Sequence, residues 1–374
     1  MRIAFVSDVA FPWHPGGVEQ TERLEAEYLA TEHDVHFFSF RWKGMKEEFT
    51  DRRIHYHCAH RLTDREFYRH GRRSIAEAFN LSVYAWRIFS DRFDVVQVNA
   101  FPYLHLPVIK LYCTLTGARL VMDVAEYWDS DVWKKYLGGV FGRIASHYAD
   151  WALSGADAYI TNPGRVYNGL LSIGIPRSRI LQFTPILDDR EISKVRTAQR
   201  RGLVVYLGRL IKEKRLDKWL DTVKEASRRD PRVKGVIVGE GPEREPILRT
   251  ISAIGLNGTV TLRRRIKRRR DAYALLKSAS MFLNMSEREG LSATALESIA
   301  LGTPVVLPSY SPIPNKVKEM CSVHSEGSIP KIIVRITRSR SKHSFIRNAK
   351  NLESFRASSI PSFYKRLFSR LCGT

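Results

Sequence analysis

Short runs of β-branched and aliphatic residues alternate along the whole chain with longer stretches whose apolar positions recur at helical spacing. This alternation is typical of parallel sheets whose strands are joined by crossover helices. The predicted fold class is therefore α/β, with two doubly wound, Rossmann-like domains facing across a cleft. Five strands are predicted in each half, at residues 3–7, 35–40, 95–99, 119–124 and 157–161, and at residues 203–208, 234–239, 259–263, 281–286 and 303–308.

The polar, charge-mixed residues 188–201 separate the two halves and predict a linker. An N-terminal domain then spans residues 1–187 and a C-terminal domain residues 202–355, which suits a chain of 374 residues. Residues 356–374 predict a basic helix with apolar side chains near one face. That helix could pack back across the domains or touch a membrane, and the sequence leaves both readings open.

Glycine-rich and polar loops follow several strands, at the points where doubly wound sheets bind ligands. In the first half, Gly16 and Gly17 precede a helix, which allows a tight turn and the close approach of a ligand. A simple turn explains the same pair. There is no GxGxxG pattern, so a dinucleotide site is not supported.

In the second half, the loop after the strand at 203–208 carries Arg209 and Lys214. Two cations at such a turn suit a diphosphate, which Arg can bind through two hydrogen bonds. A solvated charge run is the alternative, because other basic residues lie beside them. After the next strand, Gly239 and Gly241 allow close approach by a ligand or form only a tight turn.

The most informative segment is NMSEREGLSATALESIALGTPVVLP, residues 284–308. It predicts a strand, a loop, a short helix from near Ser292 that stops at Gly302, and another strand. Glu289 falls in the loop and Glu297 on the helix, about a turn and a half along it. Carboxylates accept pairs of hydrogen bonds from vicinal hydroxyls, which a sugar ring and a ribose both present. Backbone N–H groups of residues 291–293 would face an anion between them.

Composition narrows the class of protein. Hydrophobic residues make up 44% and charged residues 27%, a globular mixture. No run of about 18 uncharged apolar residues is present, so no membrane-spanning helix is predicted. The start, MRIAFVSDVAF, predicts a first strand rather than a signal peptide. The cysteines lack pairing or metal-ligand spacing and predict reduced thiols in a cytoplasmic protein: Cys58, Cys113, Cys321 and Cys372.

Charge is distributed unevenly between the halves. Residues 1–200 carry a net charge of +2 and residues 201–374 a net charge of +20. Residues 263–270 read RRRIKRRR, and residues 331–370 contain eleven Lys and Arg against one acidic residue. A basic half indicates an anionic partner, which could be nucleic acid, anionic lipid or a phosphorylated ligand.

Taken together, these motifs resemble the retaining GT-B glycosyltransferases of glycosyltransferase family four, also described as glycosyl transferases group 1. The resemblance covers roughly residues 1–310. It rests on GGVE near the start, GRLIKEK, VGEGP and SEREGLSATALESIALGTPVV, in the family's order. It implies that the chain transfers a sugar from a nucleoside diphosphate sugar to a lipid-linked or oligosaccharide acceptor. The nucleotide sugar is then a donor substrate, and no separate cofactor or metal is implied.

The resemblance also implies roles for the candidate residues. Glu289 would contact the hydroxyls of the donor sugar and Glu297 the ribose, while Arg209 and Lys214 would neutralise the departing diphosphate. The donor would also lie against Gly239, Gly241, Gly290, Leu291 and Ser292, and Gly16 and Gly17 would let the acceptor-side domain close on it. The sequence Asp129-Ser130-Asp131 imitates a metal-binding DxD, but it lies in a Tyr- and Trp-rich loop and is not predicted to bind metal.

Two positions depart from the family pattern. A His usually follows the strand that corresponds to residues 119–124, and Ala125 occupies that slot here. Either Glu126, another nearby carboxylate or Tyr127 substitutes, or turnover and sugar preference are altered. The Asn-Gly that often ends the first domain is replaced by Pro185-Ile186. A catalytically inactive GT-B-like protein is therefore an alternative.

A nucleic-acid-binding protein is the rival from another class, supported only by the basic stretches. No RRM, KH, zinc-finger or helix-turn-helix pattern is present, and few aromatic residues lie among the basic ones. A membrane surface explains the same charge. The sequence thus favours a cytoplasmic enzyme, and it leaves open whether the basic half contacts an anionic membrane or is only a solvated surface.

Overall fold

The computed structural model describes residues 1–10, 12–13, 17–61, 68–69, 72–266, 268–339 and 341–373. Strands β1–β16 are, in chain order, Arg2–Val6, Asp34–Arg41, Glu48–Asp51, Ile54–Arg61, Tyr68–Arg69, Arg72–Arg73, Val95–Asn99, Arg119–Val124, Ala158–Thr161, Ile180–Gln182, Leu203–Leu207, Lys234–Val238, Val260–Arg263, Met281–Leu283, Val305–Pro308 and Ser322–His324. Helices α1–α14 are Gly17–Leu29, Ile75–Tyr84, Leu106–Thr116, Ser130–Leu137, Gly139–Leu153, Arg165–Ser172, Asp189–Lys194, Leu216–Arg229, Arg244–Ala253, Arg269–Ser278, Ala293–Ala300, Asn315–Lys318, Ile329–Arg338 and Ile360–Cys372. Within these residues no helix is long and apolar enough to cross a bilayer.

The chain forms two compact units. Unit 1 comprises Met1–Ile186 together with Arg356–Thr374, and unit 2 comprises Leu187–Phe355. The segment predicted as a linker, residues 188–201, is structured in unit 2. It contains α7, buries Ile192 and Val195, and receives a hydrogen bond from Lys277 Nζ to the Val195 carbonyl at 2.8 Å. Its charged residues conceal this anchoring in the sequence.

Unit 1 is built on an eight-stranded sheet in the order β10-β9-β8-β7-β1-β2-β4-β3. All neighbours are parallel except β3 and β4, which are antiparallel. The strand order reverses between β1 and β7, which makes this the switch point of the sheet, where doubly wound folds bind ligands. Helices cover the sheet and bury its apolar strands, which therefore read as nearly continuous hydrophobic runs.

Unit 2 is built on a six-stranded, wholly parallel sheet in the order β13-β12-β11-β14-β15-β16. Its switch point lies between β11 and β14. The core around Trp219 is fully buried, with Val204 and Ile237 contributed by the central strands. All ten strands predicted from the sequence are present, and both units have the predicted Rossmann-like form.

One long strand of unit 1, β4, was not predicted. Its sequence, IHYHCAHR, reads as polar because of its histidines. In the structure Ile54, Tyr56 and Cys58 are buried, whereas the histidines between them, His55 and His57, are exposed or half-buried. This alternation is the period of a half-buried strand. Histidine is intermediate between polar and apolar, so the alternation is weak in the sequence.

The C-terminal helix α14 packs within unit 1. The ring of Phe363 stacks on Phe183 with centroids 3.8 Å apart, and Tyr364 donates a hydrogen bond to Gln97 Oε1 at 2.7 Å. Leu367 and Phe368 are also buried, and the helix contacts α1. Its apolar face is therefore covered by unit 1, so only its polar face remains for a membrane.

Candidate active site

Three of the candidate loops follow neighbouring strands of unit 2. Residues 208–215 follow β11, residues 239–243 follow β12, and residues 284–292 follow β14. Because parallel strands share one carboxyl edge, these loops lie together at the edge where ligands bind in such sheets. The loops after β11 and β14 flank the switch point.

A largely buried ion pair across the switch point joins Lys214 and Glu289. Lys214 Nζ lies 2.6 Å from Glu289 Oε2, and the two side chains are only 12% and 16% exposed. Asn284, which is buried at the end of β14, donates from Nδ2 to the same Oε2 at 3.3 Å and lies 3.4 Å from Ser292 Oγ. The structure therefore brings together two residues that the sequence assigns to different ligand groups. Asn284 was missed because the predicted strand, residues 281–286, included it, whereas the observed strand ends at Leu283.

Further contacts fix these two loops to each other. The backbone N–H of Glu287 donates to the Glu213 carbonyl at 3.0 Å, and Arg215 forms an ion pair with the Glu287 carboxylate. Tyr206, from β11, donates its hydroxyl to the Arg209 carbonyl at 3.0 Å. The backbone around the Lys214–Glu289 pair is thus held by bonds that do not involve either side chain.

Arg209 is exposed at the start of the loop after β11, and among the described residues it forms no ion pair. The two residues predicted to bind the diphosphate therefore differ in their surroundings. Lys214 is paired with Glu289, whereas Arg209 projects into solvent. An exposed guanidinium can bind an incoming anion without first losing a protein partner.

Glu297 lies on α11, as predicted, and is buried against the start of α10. Its Oε1 accepts a hydrogen bond from the Arg269 guanidinium and lies 3.5 Å from the Tyr273 hydroxyl. Arg269 Nε in turn donates to the Tyr273 hydroxyl at 2.6 Å. Burial raises the pKa of Glu297, and the Arg269 charge opposes that rise. In the sequence Arg269 is only one member of a basic run, because nothing local distinguishes it from Arg268 or Arg270.

The helix N-terminus that carries Gly290, Leu291 and Ser292 is partly open. Ser292 precedes α11 with φ +57°, and its side chain makes no capping hydrogen bond. A Cβ placed on Gly290 would meet no atom within 4 Å. Free backbone N–H groups at such an end attract anions, in agreement with the predicted anion position.

Gly239 and Gly241 serve the backbone of unit 2 itself. A Cβ on Gly239 would lie 1.9 Å from the Gly208 carbonyl oxygen, and one on Gly241 2.2 Å from that of Leu210. The two loops are hydrogen-bonded, with Leu210 N–H donating to the Glu240 carbonyl at 2.8 Å. The glycines thus permit close packing of two loops, and their predicted contact with the donor stays a prediction.

The candidate residues of unit 1 are less fully defined. Gly16 lies outside the described residues, and Gly17 begins α1 in open space. Glu126 is exposed after β8, where its Oε2 accepts a hydrogen bond from Trp128 Nε1 at 3.1 Å. Ala125 is half-buried beside it. Glu126 is therefore accessible to a ligand at the carboxyl edge of the sheet.

The carboxylates of the Asp129-Ser130-Asp131 sequence have structural partners. Asp129 caps α4 by accepting from Val132 N–H at 3.0 Å and pairs with Arg165 at 2.6 Å. Asp131 is exposed and pairs with Lys134. Within the part of the chain that the structure describes, no group of three or more His, Cys, Asp or Glu residues could hold a metal ion.

A cluster of buried acids near the switch point of unit 1 was not predicted. Glu22 and Glu25 on α1 lie close to Asp123 at the end of β8. Asn99 Nδ2 donates to Glu22 at 3.0 Å and Gln97 Nε2 to Glu25 at 2.8 Å. Burial raises the pKa of both glutamates well above the usual range and that of Asp123 to about 7. Acids at helical spacing on α1 resemble a solvated face in the sequence, which is why they were overlooked.

Part of unit 2 matches a known protein family. A family model described as Glycosyl transferases group 1 matches residues 188–321. The matched segment lies in unit 2 and includes all three loops at the carboxyl edge. No curated protein sequence matches the chain significantly.

Solved structures share the fold over almost the whole chain. Anabaena Alr3699/HepE, solved in complex with UDP and glucose, is 15% identical with a TM-score of 0.70, covering 99% of this chain and 100% of that one. The lipopolysaccharide outer core galactosyltransferase WaaB is 17% identical with a TM-score of 0.65, over 99% and 100%. S. aureus TarM is 13% identical with a TM-score of 0.66, over 98% of each chain. At such identities the likeness shows the fold alone, which is that of GT-B glycosyltransferases. The chain therefore has a GT-B fold, and residues 188–321 match the model of glycosyl transferases group 1.

Proposed function

We propose that the chain is a retaining glycosyltransferase that moves a sugar from a nucleoside diphosphate sugar to a lipid-linked or glycan acceptor. The observation that carries this proposal is the contact between Lys214 and Glu289 at the switch point of unit 2. A cation and a carboxylate lie side by side at the edge where sheets of this topology bind ligands, within the segment that the family model matches. The family match and the fold support nucleotide-sugar glycosyl transfer in general.

The charges of these residues suit the charges that develop during transfer. Breaking the anomeric C–O bond builds negative charge on the diphosphate and positive charge on the sugar ring. Arg209, Lys214 and the N-terminus of α11 stabilise the first, since donors that are already in position need no reorientation during the reaction, whereas water does. Glu289 accepts hydrogen bonds from the sugar hydroxyls, and its position is fixed by Lys214 and Asn284.

Glu297 is proposed to bind the ribose of the donor. Both of its hydrogen bonds engage Oε1, so Oε2 can accept from a ribose hydroxyl. Arg269 fixes the rotamer of the carboxylate and supplies a counter-charge, which lowers the cost of burying it.

Retention of configuration requires the acceptor to attack from the face that the diphosphate leaves. The leaving phosphate oxygen can itself take the proton of the acceptor hydroxyl, so no protein nucleophile is needed. The basic side chains can also neutralise the negative charge of the diphosphate, which a divalent metal ion would otherwise do. This supports the proposal of metal-independent transfer.

The acceptor is proposed to bind unit 1, with Glu126 and Gly17 near it. Among the related folds, WaaB is a lipopolysaccharide galactosyltransferase, and TarM has been solved with fondaparinux and α-GlcNAc-glycerol. That similarity supports the proposal of a glycan or lipid-linked acceptor for this chain, and the basic residues of unit 2 suit an anionic membrane.

The first experiment is a thermal-shift screen of nucleoside diphosphate sugars, beginning with UDP sugars. A ligand at 100 times its dissociation constant should stabilise the chain by about 2.7 kcal/mol. Lys214→Met should abolish that stabilisation, whereas Lys212→Met, an exposed lysine of the same loop, should preserve it. No stabilisation by any nucleotide sugar would contradict the proposal. Stabilisation by the donor without transfer would indicate an inactive relative, and tight salt-sensitive binding of duplex or single-stranded nucleic acid alone would favour the rival class.

A further inference from the structure

Unit 1 exposes a concentration of large apolar side chains. Fourteen large apolar residues are exposed in the described part of the chain, and ten of them lie on α2, the 3₁₀ helix Ala85–Ser90, α3 and α5. Their exposed fractions range from 42% to 72%. We call this set the apolar face: Ile75, Phe79, Val83, Trp86, Leu111, Leu115, Val140, Phe141, Ile144 and Trp151. Isolated exposed apolar residues are ordinary, but a concentration of this kind marks an interaction surface.

The four elements form one continuous surface. The 3₁₀ helix contacts both α2 and α3, and α3 contacts α5. The ring of Trp86 stacks on Phe89 at 5.1 Å, and Phe89 meets Tyr112 of α3 edge-on at 5.2 Å. Lys110 of α3 lies 5.0 Å from the ring of Trp151 on α5. The apolar side chains are therefore neighbours rather than scattered residues.

These helices are apolar on two sides. On α5 one side buries Ala149, Ala152 and Leu153 against the unit, while the other presents Phe141 and Ile144 to solvent. On α2 the exposed positions 75, 79 and 83 are four residues apart and make a stripe opposite the buried Leu81. A surface helix normally places polar residues on its outer side. The outer stripes of α2 and α5 thus need a second apolar environment.

The charges around the apolar face favour a lipid surface over a protein. The only two acids on α2, α3 and α5 are Glu77 and Asp150, and both bond within unit 1, to Asn80 and Tyr127 respectively. Basic side chains lie beside it, with Lys110 over Trp151 and the exposed Arg143 on α5. Tryptophan and basic residues that border an apolar surface are characteristic of the bilayer interface. A second copy docked through the same face would bring these basic side chains against each other, since no acid of the three helices is left to pair with them.

A cavity beneath the apolar face points to the same partner. It has a volume of about 140 Å³ and is lined almost entirely by apolar surface. Its lining includes Ile75 of the apolar face, Tyr148 of α5, and Phe101 and Trp128 from the loops after β7 and β8. It therefore extends from the apolar face to the carboxyl edge of the sheet, where the acceptor is proposed to bind. An apolar cavity of this size accommodates hydrocarbon rather than water.

We infer that the apolar face docks unit 1 on an anionic bilayer and that the cavity takes a short segment of a lipid hydrocarbon chain from that bilayer. The assignment of the cavity rests on the proposed function, because it presumes a lipid-linked acceptor. Docking does not, since it depends only on the surface. The sequence offered the C-terminal helix α14 for membrane contact, but its apolar side is buried. The inference assigns that contact to α2, α3 and α5 instead.

The test is sedimentation of the full chain with vesicles of phosphatidylcholine containing about one third phosphatidylglycerol, an anionic surface. The variant Phe79→Ser/Phe141→Ser/Ile144→Ser should fold normally, because its side chains are exposed, and should lose vesicle binding by roughly tenfold or more. The matched control, Leu248→Ser/Val323→Ser, removes exposed apolar residues of unit 2 and should bind like the wild type. Equal binding by all three proteins, or no binding by the wild type, would overturn the inference. A wild-type dimer that the triple variant converts to a monomer would assign the face to a second copy instead.

A second measurement locates the inserted residues. Lipids brominated in their acyl chains quench nearby tryptophans, so Trp86→Phe/Trp151→Phe should remove much of the quenching. The quenching that remains should come from Trp128 and Trp133, which line the cavity. If none remains, no lipid chain enters the cavity. Donor-induced stabilisation, measured on the same variants, reports separately on the proposed function, because docking and donor binding involve different units.

Discussion

At the scale of single residues, the candidate site depends on two ion pairs of different kinds. Lys214 and Glu289 meet at the edge of a sheet, where a bound ligand can take the place of either residue as the partner of the other. Arg269 and Glu297 meet where Glu297 is buried, so that the arginine offsets the desolvation of the carboxylate. Substitutions at the two pairs should therefore have different consequences.

Glu289→Gln should fold normally and lose transfer by roughly a hundredfold, because an amide cannot replace a charge-assisted acceptor beside Lys214. Steady-state transfer rates and thermal unfolding would be measured in parallel. Glu213→Gln is the matched control, since Glu213 is an exposed acid beside Lys214 and its side chain forms no ion pair among the described residues. Transfer near the wild-type rate would remove Glu289 from the chemistry.

Arg269→Met should weaken donor binding by roughly tenfold and lower stability by about 1–3 kcal/mol, because it leaves Glu297 buried without its counter-charge. Calorimetric titration with the donor and denaturant unfolding would measure the two effects. Arg268→Met is the control, since Arg268 is its exposed neighbour. If both variants behaved alike, Arg269 would be only a surface charge. For the same reason, tests of the basic stretch 263–270 should leave Arg269 unchanged.

At the scale of elements, the loops at the carboxyl edge are packed tightly enough to determine one another's position. The loop after β11 lies against the loop after β12 through Gly239 and Gly241, and against the loop after β14 through the Glu213–Glu287 backbone bond. A change in one loop should therefore be felt in the others.

Gly239→Ala should destabilise unit 2 by about 1–3 kcal/mol, because its Cβ would lie 1.9 Å from the Gly208 carbonyl oxygen. Gly290→Ala, whose Cβ meets nothing within 4 Å, should leave stability unchanged and weaken donor binding only if the α11 N-terminus contacts the donor. Urea unfolding of both variants would measure this difference. Equal stability of the two would mean that the loops do not pack as described.

The buried acids of α1 and β8 should make the stability of unit 1 depend on pH. Because burial raises the pKa of Asp123 from 3.8 to about 7, the unfolded chain loses this proton first as pH rises. Stability should then fall between about pH 4 and pH 7, by at most about 1.4 kcal/mol per pH unit for one proton. Asp123→Asn should flatten that decline, and Glu32→Gln, an exposed acid, should not. Unfolding across this pH range with no difference between the variants would contradict the prediction.

At the scale of the whole molecule, the two units differ in surface character. Unit 1 carries the apolar face on α2, α3 and α5, whereas the excess positive charge lies in the half of the sequence that forms most of unit 2. Apolar insertion and charge attraction respond differently to salt, because only the second is screened. Vesicle binding should therefore fall with salt and yet persist in part.

Transfer should persist after removal of divalent metals. Arg209, Lys214 and the N-terminus of α11 are proposed to carry the counter-charge of the diphosphate, and Asp129 and Asp131 are engaged in other contacts. The measurement is the rate of transfer in excess chelator, with added magnesium or manganese as the control. Activity abolished by chelation and restored by either ion would contradict metal independence.

The sequence by itself determined the alternation of ten strands with helices and the placement of Arg209, Lys214 and Glu289 in loops after them. These features are local, because strand and helix periodicity and turn chemistry depend on neighbouring residues. The position of each loop at the carboxyl edge then follows from the parallel sheet. Hence the class of site could be predicted before any contact was known.

Only the tertiary structure decided which residues meet. Arg269 is one of several arginines in a run, and it becomes the partner of Glu297 because α10 and α11 pack together. Residues 356–373 return to unit 1, where Phe363 stacks on Phe183 and Tyr364 donates a hydrogen bond to Gln97. The apolar face was also invisible, since a helix that is apolar on two sides does not reveal which side its neighbours will cover. Contact partners and solvent exposure depend on the order of the strands, which no local pattern encodes.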